Sequence, residues 1–374
     1  MKKIVIIGAG FAGLAALRRL QKLLGKELEL VLVDNRITSD FLPLLPDCIG
    51  RGIDPQFLQY KVEDLCKSLN CVFINEAVNA IDLEKKRVMT ATKNIVYDYL
   101  LIASGSETNF YGNDNIRQNA YKIDDAADIK KILEVIRARV FDHYIVCGGG
   151  YTGVEVATNL SLLLTKSKHL NRIMLLEKGT EILGNLPNWM REYAAMNLDR
   201  MKVMVFTATA VERIEGAKAY LTNGNSFDNS MVIWAAGVRT AVFTQQLPQE
   251  KNSQGRLKVD EYLRLQENCF VAGDSAYVQD KGSFLRMAVQ FAICEGSTAA
   301  ENIVNTIKAK PLVKYRPIDL GYIIPMANNY SCGTVFGTEL IGRLPTLLHF
   351  FMCLYRCRGF KNKLGIAKNL IGIH

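Results

Sequence analysis

Residues that build metal centres and disulfide frameworks are scarce or unsuitably spaced in this sequence. There are only four histidines, at positions 143, 169, 349 and 374, and no two cysteines form a C-x-x-C pair. The nine cysteines are scattered without a paired framework, which favours reduced thiols in a cytoplasm over a disulfide-stapled secreted protein. We therefore predict no metal site.

Long apolar runs, a leader segment and late acidic residues are also missing. No stretch reaches about 18 apolar residues, so we expect no transmembrane helix. The first predicted strand begins at Lys3, so we expect no signal or transit peptide. No acidic residue follows Glu339, and the basic residues beyond it supply most of the net charge of +9. This local excess indicates an anionic surface as partner and not nucleic acid. Those basic residues are Arg343, Arg356, Arg358, Lys361, Lys363 and Lys368.

Two glycine-rich turns of one design are present in this chain of 374 residues. Each follows a run of β-branched residues and precedes a helical pattern, which is how a dinucleotide-binding unit begins. The first glycine permits the tight turn, the second lets the backbone approach a pyrophosphate, and the third lets helix and strand pack closely. The helix N-terminus then favours the anion. The glycines are Gly8, Gly10 and Gly13 in the first turn, and Gly148, Gly150 and Gly153 in the second.

Each glycine turn has an acidic residue at the end of the following strand. Asp34 ends the run from Leu28 to Val33, and Glu177 ends the run from Ile173 to Leu176. A carboxylate at this place holds a ribose hydroxyl. One G-x-G-x-x-G sequence could be a chance glycine loop, but two complete units predict two bound dinucleotides.

Small residues end the strands that close each unit. After the second unit the chain returns through a strand that ends in Gly273-Asp274, followed by a predicted helix from Met287 to about Lys308. Open α/β sheets bind ligands at the carboxyl ends of their strands. The residues predicted at these ends are Ala103, Ser104 and Gly105, then Ala236 and Gly237, then Gly273 and Asp274.

The predicted fold class is α/β, with two Rossmann-like dinucleotide-binding domains, the second inserted in the first. We assign residues 1–115 and 241–320 to the first domain and 116–240 to the second. A predicted helix from Asp124 to Val140 leads into the second glycine turn. Residues 321–374 form a C-terminal region that we interpret as an amphipathic membrane anchor.

The C-terminal region combines apolar residues at helical spacing with uncompensated positive charge. Apolar residues recur from Leu344 to Tyr355 and again from Leu364 to Ile373, with lysines and arginines between them. Such a segment can lie in a membrane interface, with its lysines at the headgroups. The alternatives are a helix packed on the core or on a second copy of the chain, as in a homodimer.

Taken together, the motifs resemble a known family. The chain resembles the flavoprotein superfamily with two dinucleotide-binding domains, and within it the type II NADH dehydrogenases (NADH:quinone oxidoreductases). The motifs that carry the resemblance are Gly8-Ala9-Gly10-Phe11-Ala12-Gly13, Asp34, Phe41-Leu42-Pro43-Leu44-Leu45-Pro46, Ala103-Ser104-Gly105, Gly150-Tyr151-Thr152-Gly153-Val154-Glu155 and Val271-Ala272-Gly273-Asp274.

The resemblance implies FAD on the first domain and NADH on the second. An acidic Glu177 would repel a 2′-phosphate, so NADH should be preferred over NADPH, although the adjacent Lys178 could soften that preference. The implied FAD residues are Gly8, Gly10, Phe11, Ala12, Gly13, Asp34, Asn35, Pro43, Leu44, Ala103, Ser104, Gly105, Gly273 and Asp274. The implied NADH residues are Gly148, Gly150, Tyr151, Thr152, Gly153, Glu177, Ala236 and Gly237.

Two side chains are implied at the reacting centre. Glu155 matches the family's glutamate after Gly-Val, and Gln290 matches the first glutamine of an Ala-Gln-x-Ala-x-Gln segment beside the flavin, in which Cys294 replaces the second glutamine. The implied enzyme passes hydride from NADH to flavin and electrons to a membrane quinone, without proton pumping. It would be a peripheral protein on the cytoplasmic face of the cell membrane.

Other functions remain open at this point. Sulfide:quinone oxidoreductases share the fold, but their Gly-x-Cys-x-Gly-Pro stretch has no match here. Disulfide reductases and thiol-type NADH oxidases need a redox cysteine near position 45, where Cys48 stands alone and suits apolar packing. Reductases of ferredoxin-type carriers, apoptosis-factor-like flavoproteins and a non-catalytic nucleotide sensor complete the alternatives.

Overall fold

The structure is a computed structural model that describes residues 1–24, 28–165, 172–280 and 282–372. Ile373, which the sequence places among the apolar positions of the C-terminal region, lies outside these residues. The helices are α1 (Phe11–Leu24), α2 (Leu45–Arg51), α3 (Val62–Ser68), α4 (Asp114–Asn119), α5 (Ala126–Ala138), α6 (Tyr151–Thr165), α7 (Asn188–Arg200), α8 (Val242–Gln246), α9 (Val289–Ile307), α10 (Arg343–Arg356) and α11 (Phe360–Leu370).

Short strands separate these helices. They are β1 (Lys2–Ile7), β2 (Leu28–Val33), β3 (Thr38–Asp40), β4 (Gln59–Lys61), β5 (Val72–Ile74), β6 (Val78–Asp82), β7 (Arg87–Thr90), β8 (Asn94–Val96), β9 (Tyr99–Ile102), β10 (Ser106–Thr108), β11 (His143–Cys147), β12 (Arg172–Leu176), β13 (Val203–Phe206), β14 (Val211–Glu215), β15 (Lys218–Leu221), β16 (Ser226–Phe227), β17 (Ser230–Trp234), β18 (Val238–Thr240), β19 (Leu257–Lys258), β20 (Arg264–Gln266), β21 (Cys269–Val271), β22 (Ala276–Tyr277), β23 (Gln279–Asp280), β24 (Ser283–Phe284), β25 (Gly321–Ile324), β26 (Ser331–Val335) and β27 (Thr338–Gly342).

The chain divides into two compact units. Unit 1 comprises Met1–Ser39, Lys61–Glu107 and Val238–Asp319. Unit 2 comprises Asp40–Tyr60, Thr108–Gly237 and Leu320–His374. The structure thus groups most of the C-terminal region with the residues around the second glycine turn. Which cofactor each domain holds, and where the cofactor domains begin and end, remain predictions.

Unit 1 is built on a six-stranded sheet with the strand order β20-β21-β9-β1-β2-β5. Strands β21, β9, β1, β2 and β5 are parallel, and β20 pairs antiparallel at the edge. The apolar run Ile4-Val5-Ile6 on β1 is completely buried, as a central parallel strand requires. Helices α1 and α9 pack against each other, and Gly296 of α9 has no room for a side chain beside Ala12.

Unit 2 contains a four-stranded parallel sheet with the order β13-β12-β11-β17. The antiparallel sheets β14-β15-β16 and β25-β26-β27 also belong to it. Helix α2 packs on α6 so closely that a side chain at Gly50 would overlap the backbone of Asn159. Two βα units with parallel strands confirm the predicted α/β class.

The two helices predicted with bounds, α5 and α9, begin and end close to the predicted positions, and the differences have local causes. Helix α5 begins at Ala126 because Asp125 is its N-cap, with its carboxylate accepting a hydrogen bond from Asp128 N. It ends at Ala138 because Arg139 is extended. Helix α9 begins at Val289, two residues later than predicted, because Ala288 is extended.

The C-terminal region forms the strands β25, β26 and β27 and then the helices α10 and α11, and α10 has a buried face and an exposed face. Cys353 and Thr346 of α10 are buried, whereas four apolar side chains of the same helix are more than half exposed. We call these four the apolar stripe: Leu344, Leu347, Phe351 and Tyr355. The packed-helix interpretation accounts for the buried face and leaves the stripe unexplained. Among the described residues, no helix is long and apolar enough to cross a membrane.

Candidate functional site

The first glycine turn connects β1 to α1 in unit 1. Gly8 has φ +103°, and a side chain there would overlap the carbonyl of Ala103. A side chain at Gly13 would overlap the carbonyl oxygen of Gly8, whereas the space beside Gly10 is open. Helix α1 begins at Phe11, directly after the open position. Gly8 and Gly13 therefore permit close packing, whereas Gly10 leaves room next to a helix N-terminus, which attracts anions.

The carboxylate of Asp34 is fixed against this turn. Its Oδ2 accepts a hydrogen bond from Ala9 N at 2.6 Å, and its Oδ1 accepts one from Arg36 N at 2.8 Å. Asp34 itself is buried, and the next residue, Asn35, is exposed. The structure thus places the predicted ribose-binding acid beside the predicted pyrophosphate turn.

The second glycine turn repeats this arrangement in unit 2. Gly148 has φ +104°, a side chain at Gly153 would overlap the Gly148 carbonyl oxygen, and the space beside Gly150 is open. Glu177 accepts hydrogen bonds from Gly149 N at 2.7 Å and from Gly179 N at 2.6 Å. The turn, the helix start and the hydrogen-bonded acid therefore have the same arrangement in both units.

The other predicted NADH residues lie at the start of α6 and after β17. In α6, Tyr151 packs edge-on against Tyr322 at 6.1 Å between ring centroids, and Thr152 is exposed. Ala236 and Gly237 follow β17, and the carbonyl of Gly237 accepts a hydrogen bond from Asn109 N.

The remaining predicted flavin residues of unit 1 surround the ends of β9 and β21. Ala103, Ser104 and Gly105 follow β9 in the chain. The Oγ atom of Ser104 lies 3.0 Å from the Oγ atom of Ser275. Asp274 Oδ2 accepts a hydrogen bond from Ser106 Oγ at 2.7 Å. Burial raises the pKa of Asp274, and its contacts with Ser106 and Arg256 oppose the rise. These strand ends bring polar groups together where an open sheet binds its ligand.

Two predicted residues of the flavin side belong to unit 2. Pro43 and Leu44 form a short 3-10 turn directly before α2. Leu44 is fully buried, and its carbonyl accepts a hydrogen bond from Cys48 Sγ at 3.4 Å. Burial also raises the pKa of Cys48, which disfavours the thiolate that a redox nucleophile needs.

Gln290 is already engaged by a side chain that the sequence did not indicate. Its Nε2 donates to Asp319 Oδ1 at 3.0 Å, and Arg286 holds the same carboxylate with two hydrogen bonds. A forked arginine–carboxylate pair fixes orientation strongly. Asp319 therefore orients Gln290 at the start of α9. Arg286 and Asp319 lie outside every motif, and no sequence signal indicated them.

Glu155 lies on α6 near two ionisable groups from distant parts of the chain. Burial raises the pKa of Glu155 to about 8; the nearby His349 opposes the rise and Asp47 adds to it. Among the described residues, none donates a hydrogen bond to the carboxylate, and the backbone carbonyl of Glu155 accepts from Thr158 and Asn159. This carboxyl can therefore hold a proton at neutral pH.

His349 of α10 and Asp47 of α2 form a charge pair in the same region. His349 Nε2 lies 3.6 Å from Asp47 Oδ2 and 3.7 Å from Cys353 Sγ. Burial lowers the pKa of His349, but Cys353 and Asp47 outweigh it, so the pKa lies well above its usual range. Arg51 Nε donates to Asp47 Oδ1 at 2.9 Å, so the Asp47 carboxylate pairs with both Arg51 and His349.

Sequence reasoning missed both partners of Glu155. His349 lies in the segment that the sequence pattern predicts to be a membrane anchor, and no motif includes it. Its spacing of four from Cys353, and that of Asp47 from Arg51, are the helical pairings that could have indicated a polar face. We call Glu155, His349 and Asp47 the acid–imidazole cluster.

The fold and its two glycine turns define a two-dinucleotide oxidoreductase, and comparison with known proteins specifies the family. The profile of the pyridine nucleotide-disulphide oxidoreductase family matches residues 2–296, so the chain belongs to that family. Members of this family bind FAD and NAD(P)H, and the chain is accordingly a flavin-dependent NADH oxidoreductase-family enzyme.

Individual relatives are similar along nearly the whole chain. The demethylphylloquinone reductase NdbB of Synechocystis is 26% identical over 98% of this chain and 95% of its own length. A type II NADH:quinone oxidoreductase of Staphylococcus haemolyticus is 24% identical over 91% and 92%.

Solved structures share the fold at lower identity. NDH2 from Plasmodium falciparum in complex with NADH has a TM-score of 0.88 at 17% identity, covering 99% of this chain and 97% of that one. The sulfide:quinone oxidoreductase of Aquifex aeolicus has a TM-score of 0.79 at 19% identity, covering 98% and 92%.

Proposed function

We propose that this protein is an NADH:quinone oxidoreductase of the type II NADH dehydrogenase kind. FAD binds unit 1 at the first glycine turn, and NADH binds unit 2 at the second. The observation that carries the proposal is the duplication: each turn has an open middle glycine, a helix start and a fixed acid. The curated relatives named for quinone reduction, at 24–26% identity, support quinone as the acceptor.

The residues of both turns fit a dinucleotide. A side chain at Gly10 or Gly150 would meet no atom within 4 Å, which is the room that a pyrophosphate needs. The amides at the starts of α1 and α6 supply the donors that an anion prefers. Asp34 and Glu177 would hold the two ribose hydroxyl groups. Glu177 also disfavours a 2′-phosphate, so NADH is the preferred donor.

A bound flavin supplies the hydride and electron chemistry, and the protein supplies orientation, electrostatics and protons. Oxidation of NADH by a quinone consumes one proton, because the hydride brings the other hydrogen of the quinol. The carboxyl of Glu155, with a pKa of about 8, holds a proton at neutral pH, and the positively charged His349 beside it can replace that proton. Gln290, oriented by Asp319, positions the acceptor. Glu155 and Gln290 are therefore the two proposed site residues.

The apolar stripe of α10 is the proposed membrane contact. Its four large apolar side chains share one helix with Arg343 and Arg356, and Arg358, Lys361, Lys363 and Lys368 follow. Apolar side chains flanked by cations suit an anionic lipid interface, where a quinone is dissolved. We place the protein peripherally on the cytoplasmic face of the cell membrane.

The test combines cofactor identity with an acceptor panel. Flavin released from the purified protein should chromatograph as FAD, and FMN alone would overturn the assignment of the first turn. In anaerobic stopped-flow experiments, NADH should bleach the flavin, and a menaquinone or ubiquinone analogue should restore its colour faster than oxygen or a disulfide. Faster recovery with a disulfide, or bleaching by sulfide, would overturn the quinone reductase in favour of a thiol-linked enzyme.

A further inference from the structure

Glu295 of α9 is a buried carboxyl group between two predicted FAD-binding segments of unit 1. It is only 2% exposed, and its Oε2 accepts a hydrogen bond from Gly273 N at 2.7 Å. The next residue, Gly296, packs directly on the backbone of Ala12 in the first turn of α1. Glu295 therefore lies behind both the glycine turn and the Gly273-Asp274 strand end, and no step of the proposed reaction uses it.

The charges around Glu295 leave one negative charge in excess. Asp274 and Arg256 are its charged neighbours, and Tyr315 faces it from the segment after α9. Arg256 is itself buried and donates to the carbonyls of Ala276 and Leu285, so it does not form a dedicated pair with Glu295. On α1, Arg19 is paired with Glu301, six residues further along α9. The buried carboxyl of Glu295 and the half-buried carboxyl of Asp274 thus share one guanidinium.

This environment makes the ionised form of Glu295 costly. Burial raises its pKa to about 7; the Gly273 amide and Arg256 oppose the rise, and Asp274 adds to it. A like charge placed nearby raises the pKa of a carboxyl further, because the charged form becomes less favourable. The pyrophosphate of FAD is such a charge, and its predicted position is the turn on which α9 packs.

We propose that Glu295 takes up a proton from solvent when FAD binds, so that the protein holds FAD less tightly as the pH rises. The inference rests on the proposed function only for the identity of the bound cofactor. The reaction is a simple linkage: FAD and one proton bind, the Glu295 carboxylate becomes a carboxylic acid, and no electron moves. Glu295 is not a catalytic residue; its protonation state responds to the negative charge of the cofactor.

The sign of the effect follows from the two protonation states. Below a pH of about 7 the carboxyl is protonated before and after FAD binds, so the affinity does not change with pH. Above that pH the free protein must gain a proton, and the Kd for FAD rises about tenfold per pH unit until the pKa of the FAD complex is reached.

The experiment is equilibrium dialysis of the holoenzyme at pH values between about 6 and 9, with released FAD measured by fluorescence. The Kd of the wild type should rise above neutrality. Glu295→Gln, whose amide oxygen can still accept from Gly273 N, should bind FAD with a flat pH profile. The matched control is Glu301→Gln on the same helix, which should follow the wild type. A Glu295→Gln profile as steep as that of the wild type would overturn the proposal.

A second measurement keeps the test independent of the variant. Rebinding of FAD to wild-type protein in a weakly buffered indicator solution at a pH of about 8 should take up close to one proton per FAD. Rebinding without proton uptake would also overturn the proposal, even if Glu295→Gln failed to fold. A protein that holds no FAD at any pH would instead refute the proposed cofactor and thus the proposed function.

Discussion

His349 Nε2 lies 3.6 Å from Asp47 Oδ2, and this pair connects helix α10 of the C-terminal region to α2 within unit 2. The pair makes part of the C-terminal region a structural element and not only an appendage. Its first consequence concerns stability. We expect His349→Gln to lower the free energy of unfolding by about 1–3 kcal/mol near a pH of about 6, because Asp47 loses a charged donor.

The pH dependence of this loss has a defined sign. The folded pKa of His349 is raised, so the stabilisation is complete below the unfolded histidine pKa of about 6.5 and is lost as the pH rises through the folded value. Urea unfolding of wild type and His349→Gln should therefore converge at alkaline pH. Asp47→Asn should cost more, about 3–5 kcal/mol, because it leaves both His349 and Arg51 without their carboxylate. A constant difference between wild type and His349→Gln at all pH values would contradict the charge pair.

Glu155→Gln should separate the two halves of the reaction. Reduction of the flavin by NADH should be nearly unchanged, whereas quinone reduction should slow by about 100-fold, the usual contribution of a positioned acid. The pH profile of quinone reduction should also lose its alkaline limb near the pKa of about 8. Stopped-flow measurements of each half-reaction provide the test.

The same variant, Glu155→Gln, should gain stability although it loses activity. A carboxyl whose pKa is raised on folding destabilises the fold once the pH exceeds its unfolded pKa. Glu155→Gln should therefore be more stable than wild type at alkaline pH. The matched control is Glu134→Gln on the exposed face of α5, which should change neither rate nor stability. Equal slowing of both half-reactions would assign Glu155 a structural role.

Sequence patterns could predict the parts of the molecule that depend on neighbours in the chain. The glycine turns, their acids and the helices α5 and α9 are local, and each helix end differed from prediction only where a cap or an extended residue intervened. The acid–imidazole cluster is brought together from positions 47, 155 and 349, and Arg286 and Asp319, which hold Gln290, lie outside any motif. Such clusters depend on tertiary packing, for which one sequence carries no periodic signal.

The glycines of the first turn should separate packing from ligand binding. A methyl group at Gly13 would overlap the Gly8 carbonyl, so Gly13→Ala should unfold or strongly destabilise unit 1. A methyl group at Gly10 meets no protein atom, so Gly10→Ala should fold normally but retain FAD about tenfold more weakly. Thermal unfolding and flavin content measure the two effects. Unchanged FAD affinity in Gly10→Ala would show that the pyrophosphate does not bind at this turn.

Glu177 should set the preference between the two nicotinamide donors. Its carboxylate is held by Gly149 N and Gly179 N, so its charge has a fixed position. Glu177→Gln removes the charge and keeps an acceptor, and it should raise kcat/KM for NADPH relative to NADH by about tenfold. Steady-state kinetics with both donors test this. Equal use of both donors by the wild type would indicate that the exposed Lys178 compensates the carboxylate.

Membrane binding should depend on the apolar stripe of α10 and not on the helix as a whole. Deleting the C-terminal region would remove His349 and expose Asp47, so a truncated protein cannot separate attachment from stability. Leu347→Ser with Phe351→Ser is a cleaner change, because both side chains are about two-thirds exposed while Cys353 on the same helix is buried. The matched control is Met196→Ser, an exposed apolar residue of α7.

Burial of one large apolar side chain contributes about 1.5–3 kcal/mol, and each basic residue near an anionic surface adds about 1 kcal/mol. The affinity of the double variant for phosphatidylglycerol-containing vesicles, measured by flotation, should therefore be at least about 100-fold lower than that of wild type. The double variant should still oxidise NADH with a water-soluble quinone. Wild-type binding should weaken in high salt, since exposed charges are screened, and it should be poor on neutral phosphatidylcholine vesicles. If wild-type protein stays off anionic vesicles at low salt and sediments as a dimer that the double variant disrupts, the stripe covers a second copy of the chain instead.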